Sequence, residues 1–442
     1  MLYSSIAGQR AAGCAGLLWG GEWTRERIED FQAGRLRALV RHAYERVPHC
    51  RRLFDRAGFD PDGVRTLADL QAIPLTCRDD LQRVPAAETV AEGFDLAKLA
   101  LHRTSGSSGQ PLAIRRTWFE DRLLQAWRLR VLRGFGFHFT DRRVAVVTAR
   151  LGGRHAWHTH IGLLPYEEID CRLPPAEILT RLRAIRPEVL RGYPGTLSWL
   201  AGFLTPQDRA AIRPRLVTTD SETLTGDMRA RIGEGFGGTV IDFYDSHEFN
   251  LIAWECPAGG CYHVSDLTVI AEVIKDGRPA EPGEEGELVG TALHSFAMPF
   301  LRFRLGDQVT RGGARCPCGA SNSTLTRVVG RAMDRFTLPD GRSIHPYTLV
   351  TPLAWRAPWL RRYQIVQEQL DRVSVKVVPI EGQTPTRETL AVLREALVEG
   401  LGASVSVDIE VVAEIPAGAN GKFRPYYSKV VTAPPEIPPR QP

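Results

Sequence analysis

Lysine is scarce in this chain. Of 56 basic residues in 442, only Lys98, Lys275, Lys376, Lys422 and Lys429 are lysines, and the other 51 are arginines. A GC-rich coding bias accounts for that ratio, yet the scarcity also shortens the list of places where a catalytic lysine could stand. Long apolar runs are missing too. No stretch approaches the roughly 18 residues of a membrane span, so a membrane partner is not expected. The segment AAGCAGLLWG imitates a lipoprotein cleavage site only faintly, because its apolar core would have to include Gln9 and Arg10. A cytoplasmic location is expected. Charge of one sign is also in short supply: a net +5 over this length gives no case for a nucleic-acid partner. The 43% hydrophobic and 24% charged content suits a globular enzyme and excludes wholesale disorder. At 442 residues the chain exceeds one ordinary core, so two or three units are expected.

The hydrophobic pattern then divides the chain. Residues 24–57 read as helical, with Phe31, Leu36, Leu39, Val40, Ala43, Tyr44 and Val47 apolar before Pro48 breaks the pattern. A second helix is predicted over 117–133, with Phe119, Leu123, Trp127 and Val131 four apart on a core face and Leu124 beside them. VAVVTA (144–149) and TVIDFY (239–244) read as strands and EILTRLRAI (177–185) as a helix, an alternation that argues for α/β layers. From about residue 261 short strands and turns take over, in YHVSDLTVIAEVI, GELVGTAL and PFLRFRLGD. Beyond GRAMD (330–334) the order strand, strand, helix, strand looks self-contained, which places a domain boundary near residue 331. The expected fold class is α/β: a large N-terminal domain of layered α/β subdomains with a small β-rich subdomain, then a smaller α+β domain. Residues 433–442 form a Pro-rich tail expected to be unstructured. No internal repeat is found.

Four segments carry chemistry. Thr104-Ser105-Gly106-Ser107-Ser108-Gly109 lies between two strand-like stretches, and its free N–H groups and hydroxyls could cradle phosphates. No Lys-Ser/Thr follows its glycine, so it is not a Walker loop. Tyr244-Asp245-Ser246-His247-Glu248 follows an α/β-type strand, where catalytic groups collect. There Tyr244 could stack on a base and Glu248 hold magnesium. Asp307 follows a glycine turn and could accept two ribose hydroxyls. Lys422, in GKFR, is the one lysine on a Gly-flanked loop after a strand end, suited to bringing a point charge onto a carboxylate and a phosphate. By contrast, Gly233, Gly235 and Gly238 fit the spacing G-x-G-x-x-G but follow a helix and precede a strand. A dinucleotide fingerprint needs the reverse order, so this match is rejected.

Taken together, from IPLTCRDDL (73–81) to GKFRP (421–425), these segments resemble the adenylate-forming acyl- and aryl-CoA synthetases, specifically the phenylacetate–CoA ligase-like branch. The resemblance implies ATP-dependent conversion of a carboxylic acid, an aryl acid foremost, to an acyl-adenylate with release of pyrophosphate. Transfer to a thiol such as coenzyme A follows. It makes residues 104–109 the phosphate loop, Ser221, Glu222 and Tyr244 adenine contacts, Asp307 the ribose ligand, Arg331 a ribose and phosphate neighbour, and Lys422 with Glu248 the catalytic pair. Residues 1–330 would bind ATP and acid, and 331–432 would be a mobile domain carrying the lysine. An amine or a carrier protein as acceptor, AMP transfer to a phenolic cofactor, an inactive binding homologue and a homodimer stay open. Tyr193, Trp157, His158 and His247 are pocket candidates from position alone. Two departures stand out. Asp245 and His247 replace the family's glycine and hydroxyl residue, and Met333 takes the first of two acidic hinge positions that Asp334 completes.

The eight cysteines divide unevenly. Cys14, Cys50, Cys77 and Cys171 are single, whereas Cys256, Cys261, Cys316 and Cys318 form two pairs with His263 between them. That offers five soft ligands for a four-coordinate zinc. The branch's Glu-Cys-x6-His and Cys-x-Cys-Gly patterns match at Glu255–His263 and Cys316–Gly319. The resemblance therefore implies a structural site of Cys256, His263, Cys316 and Cys318, with Cys261 as the competing ligand.

Overall fold

The computed structural model describes residues 23–103, 112–147, 164–171, 173–313, 315–331, 336–344, 349, 357, 359–380, 382–416 and 423–430. The chain forms two units, each assembled from two separate stretches: Met1–Phe137 with Phe243–Val328, and His138–Asp242 with Val329–Pro442.

In the first unit the predicted N-terminal helix is two helices, Arg25–Arg46 and Pro48–Ala57, parted at Val47 as the proline requires. Thr24 caps the first by accepting a hydrogen bond from the Arg27 N–H. Leu36, Leu39, Val40 and Ala43 are buried. The helix Trp118–Gly134 opens with a capping box of Thr117 and Glu120. Leu123, Leu124, Trp127 and Val131 lie inside as expected, but Phe119 is 47% exposed. The reason is chemical. In the first turn the inward position belongs to Glu120, whose Oε1 accepts from the main-chain N–H groups of Phe296 and Ala297 at 2.7 and 3.0 Å.

A short hairpin, Ala100–Arg103 against Ala113–Arg116, flanks the Ser/Gly segment. The rest of this unit is antiparallel sheet in which Val269–Lys275, Glu285–Ala292, Phe303–Arg311, Thr324–Arg331, Tyr262–Val264 and Asn250–Glu255 are successive neighbours. Its core gathers Phe249, Phe300 and Phe303 edge to face, with centroids 5.2–6.3 Å apart.

The second unit contains the parallel sheet. Tyr166–Asp170, Arg143–Val147, Val189–Gly192 and Leu216–Thr219 pair in that order, and Leu216–Thr219 then takes Thr239–Asp242. The helices Pro175–Ile185, Pro194–Ala201 and Gly226–Phe236 bury Ile178, Leu182, Leu197, Leu200 and Ile232 with that sheet. Two of the three glycines of the rejected motif have packing roles. A Cβ on Gly235 would sit 2.7 Å from the Ala201 Cβ, and one on Gly238 would sit 2.2 Å from the Pro214 carbonyl oxygen. The C-terminal sheet orders Ser406–Val411, Arg372–Pro379, Leu360–Gln369 and Tyr426–Ser428, with the helix Arg387–Leu401 packed on it. Among the described residues no helix is long and apolar enough to cross a membrane.

The Phe249 packing yields a stability test. A Cβ at Gly290 would lie 2.4 Å from the Phe249 Cζ, inside a filled aromatic cluster. Gly290→Ala is expected to cost about 1–3 kcal/mol in urea unfolding, the usual penalty for overpacking. Unchanged stability would show that the ring has room to move.

Candidate active site

In the first unit, regular pairing of residues 243–246 with residues 250–254 shifts register between Tyr244 and Asp245. The ring of Tyr244 is buried, and its hydroxyl donates to Asp307 Oδ2 at 2.6 Å across 63 residues of sequence. Asp307 reaches that point because Glu285–Ala292 and Phe303–Arg311 shift register between Glu287 and Val289, with Gly306 at φ +83°. A bulge of this kind re-aims one side chain out of the regular alternation.

Glu248 follows in a tight turn and is only 4% exposed. Among the described residues, Arg78 lies 3.9 Å from its carboxylate. The turn is held from beneath by Arg116, whose Nη2 donates to the carbonyl oxygens of His247 and Glu248, the latter at 2.9 Å. Alternation along Ala113–Arg116 sends Ile114 and Arg116 inward. Burial pushes the Arg116 guanidinium below its ordinary pKa, while the charges of Asp121, Glu120 and Glu248 pull it back up. Asp245, the departure from glycine, accepts from Arg128 Nη2 at 2.8 Å, and that guanidinium also lies 5.2 Å from the centre of the Phe243 ring. His247 is half-buried beside them.

The soft ligands converge in the same unit. The Cys256 N–H donates to the Cys261 carbonyl at 2.8 Å, closing the hairpin turn that carries the first pair. Ligand atoms of Cys256, Cys261, His263 and Cys316 all lie within 4.8 Å of one another. Cys316 Sγ is 3.5 Å from both Cys256 Sγ and Cys261 Sγ, and Cys318 Sγ is 3.4 Å from His263 Nε2. The N–H groups of Ala258 and Ala320 point at Cys256 Sγ and Cys318 Sγ, each at 3.4 Å. At Cys318 burial and the neighbouring thiols outweigh the Ala320 contact and push the thiol up to about 11. Burial raises the Cys316 thiol, but hydrogen bonds led by His263 outweigh it and hold it at about 6. Burial together with the Cys316 contact pushes Cys261 up to about 12. Thiols this close do not all ionise unless a cation sits among them.

In the second unit Tyr193 caps the helix Pro194–Ala201 and packs into the parallel-sheet core. Ser221 has φ +68°, and its hydroxyl donates to Asp220, itself paired with Arg191 at 2.6 Å. Glu222 accepts from the N–H groups of Gly195 and Phe423 at 2.9 and 2.6 Å. Arg331 ends the strand Thr324–Arg331, and its side chain is outside the described set. Residues 104–109, Trp157, His158, Met333, Asp334 and Lys422 lie outside the described residues.

The sequence reading passed over Arg78, Arg116 and Arg128. For Arg116 a signal existed: the alternating pattern of PLAIRRT places it on the inward face with Ile114. Arg128 offered none, since its partner stands 117 residues away.

Against known proteins, residues 336–429 match the CapK C-terminal domain. A phenylacetate-coenzyme A ligase from Thermus thermophilus is 26% identical over 436 residues, covering 90% of this chain and 96% of the relative. One from Escherichia coli is 28% identical over 373 residues, covering 80% and 82%. The chain is a relative of the phenylacetate-coenzyme A ligases. Its fold is that of a solved 2-hydroxyisobutyryl-CoA ligase holding 2-HIB-AMP, with TM-score 0.75, 22% identity and coverage of 89% of this chain and 87% of that one. In this relative of the ligases the Asp245 departure has a local counterweight, because Arg128 neutralises the added carboxylate.

That pair is open to measurement. Arg128→Ala and Asp245→Ala, singly and together, should give non-additive losses in urea unfolding with a coupling of about 1–3 kcal/mol. Additive losses would mean that the two side chains do not stabilise one another.

Proposed function

We propose that the protein is an AMP-forming acid–thiol ligase that activates a carboxylic acid with ATP, releases pyrophosphate and passes the acyl group to a thiol such as coenzyme A. The observation that carries this reading is the meeting of Tyr244 and Asp307 beside a turn in which Glu248 is buried. Two segments distant in sequence supply an aromatic face and a carboxylate at one place, as binding a nucleoside requires. Adenylation brings two anions together, so the protein must offset their repulsion and fix their orientation. In this reading residues 104–109 cradle the phosphates, Glu248 holds magnesium and Lys422 supplies the mobile charge. Ser221 lines the adenine pocket, and Arg331 approaches the ribose and phosphates. Arg116 positions the Glu248 turn, and Arg78 places a positive charge beside the buried carboxylate. An aryl acid is the substrate class favoured by the relatives' names, with Tyr193, Trp157, His158 and His247 as the positions to vary. Residues 1–330 form the binding body and 331–432 the moving part that carries Lys422. An inactive homologue is disfavoured by the Arg128 partner of Asp245, which removes the unpaired charge that would have spoiled the site.

Zinc belongs to the same proposal as a structural ion. Cys256, His263 and Cys316 contribute three ligands, and either Cys261 or Cys318 contributes the fourth. Four protein ligands leave no open position, so the ion would staple the hairpin to the loop before Thr324–Arg331.

Acid-dependent ATP–pyrophosphate exchange is the direct test. Exchange with at least one aryl or aliphatic acid is expected, and its absence with every acid in folded, zinc-replete protein would sink the ligase reading. Lys422→Ala should lower the exchange by about 10²-fold or more, the scale for losing one preorganised charge at the reacting centre. Elemental analysis should find one zinc per chain, lost in His263→Ala. Of Cys261→Ser and Cys318→Ser, one should keep the metal and the other lose it. Retention in both, or in His263→Ala, would refute the site.

A further inference from the structure

Glu222 stands where the family resemblance puts an adenine contact, yet each of its carboxylate oxygens is engaged by main chain. Oε2 accepts from the Gly195 N–H at 2.9 Å and Oε1 from the Phe423 N–H at 2.6 Å. These donors lie 27 and 201 residues away in sequence, on the first turn of Pro194–Ala201 and in the GKFR segment. The carboxylate thus ties the segment carrying the lysine to the parallel-sheet part of the same unit.

Three further observations shape the socket around that tie. Phe423 is 2% exposed and packs with Met228, Val378 and Ile415. The Arg362 guanidinium lies 3.9 Å from the centre of its ring, a stacked cation–π contact. Gly195 has no side chain where one would intrude: a Cβ there would stand 3.0 Å from Glu222 Oε2 and 3.0 Å from both Cβ and Cδ1 of Phe423. Burial lowers the Arg362 guanidinium to about 10 against the opposing pull of Glu222, so cation and carboxylate support each other beside the ring.

We infer that Glu222, Gly195 and Arg362 form a latch that receives Phe423 and so restrains the lysine-bearing segment for the adenylation step. The inference rests on the proposed ligase reading. The main-chain nitrogen of Phe423 is bonded to the carbonyl carbon of Lys422, so fixing that nitrogen limits where the lysine can be. One main-chain hydrogen bond from Phe423, one stacked guanidinium and one buried ring hold the segment to this socket without a covalent tie. A second step that needs the segment elsewhere must break these contacts. Glu222 acts here as a positioning residue rather than a nucleotide contact.

Two measurements test the latch separately from the reaction. In Glu222→Gln the side-chain nitrogen cannot accept, so one of the two N–H groups loses its partner. Hydrogen exchange in the peptide containing Phe423 should then quicken by about tenfold, the equivalent of ~1.4 kcal/mol. Gly195→Ala should do the same by wedging the ring out, and Phe423→Leu serves if either variant fails to fold. In the reaction, ATP–pyrophosphate exchange should fall about tenfold, while thioester formation from supplied acyl-adenylate falls much less, so the ratio of the two half-reactions changes. Unchanged protection of the Phe423 peptide would overturn the latch. So would a raised KM for ATP with an unchanged ratio, because that marks a nucleotide contact. If wild-type protein exchanges with no acid, the ligase reading fails, and the hydrogen-exchange result still decides the latch.

Discussion

A single buried guanidinium organises the turn on which the candidate chemistry depends. Arg116 is 2% exposed, and the carbonyl oxygens of His247 and Glu248 are its hydrogen-bond acceptors. A cation placed so deep costs far more than a surface one unless every side of it meets negative partial or full charge. Two carbonyls bonded to Nη2 and the nearby acids Asp121, Glu120 and Glu248 offset most of that cost, while Nε has no hydrogen-bond partner among the described residues. The turn gains in exchange a fixed geometry that a run of five polar residues would not hold by itself. Tyr244, just upstream, is fixed by its bond to Asp307, so the strand end and the turn are clamped at two points.

The same device recurs with opposite sign. Glu120 spends its carboxylate on the N–H groups of Phe296 and Ala297, and Glu222 on those of Gly195 and Phe423. Buried or part-buried side-chain charge in this protein is matched repeatedly to main-chain dipoles in connecting segments and at a helix start, where the backbone lacks the partners a helix or a sheet would give it. The arginine-rich composition suits this role. A planar fork can bond two carbonyls, pair with Asp245 or lie on Phe423, whereas an ammonium group can do fewer of these well. The lysine shortage that first marked the sequence is thus matched by a structure that uses arginine for fixed contacts and keeps a lysine in GKFR.

Much of the fold was legible because periodicity reports burial directly. The helices Arg25–Arg46, Trp118–Gly134 and Arg387–Leu401 and the strand Thr239–Ser246 fall where their apolar spacing puts them. Phe119 is the instructive miss. A four-residue spacing identifies a helix face but does not say where along the helix the core begins, and there a carboxylate with two backbone donors displaced the ring. The short strands and turns expected from YHVSDLTVIAEVI are the strands Tyr262–Val264 and Val269–Lys275, parted at 265–268, where Asp266 accepts from the Ser323 N–H and from Arg25. Of the candidate site, the residue types and their order were visible. Their arginine partners were not, because no local pattern links Arg128 to Asp245 or Arg78 to Glu248.

The sequence by itself determined the alternation of α/β and β-rich texture, the chemical inventory of the motifs and the five soft ligands in two clusters. These follow from short-range chemistry: side-chain periodicity, turn residues and ligand type are properties of neighbours along the chain. Tertiary structure alone decided that Asp245 would be neutralised, that Cys261 and Cys318 would both reach the His263 cluster, and that Glu222 would bond Phe423. Each of these depends on segments tens to hundreds of residues apart meeting within about 3–5 Å, the range over which hydrogen bonds and metal ligation act. Only the packed cores fix distances of that size.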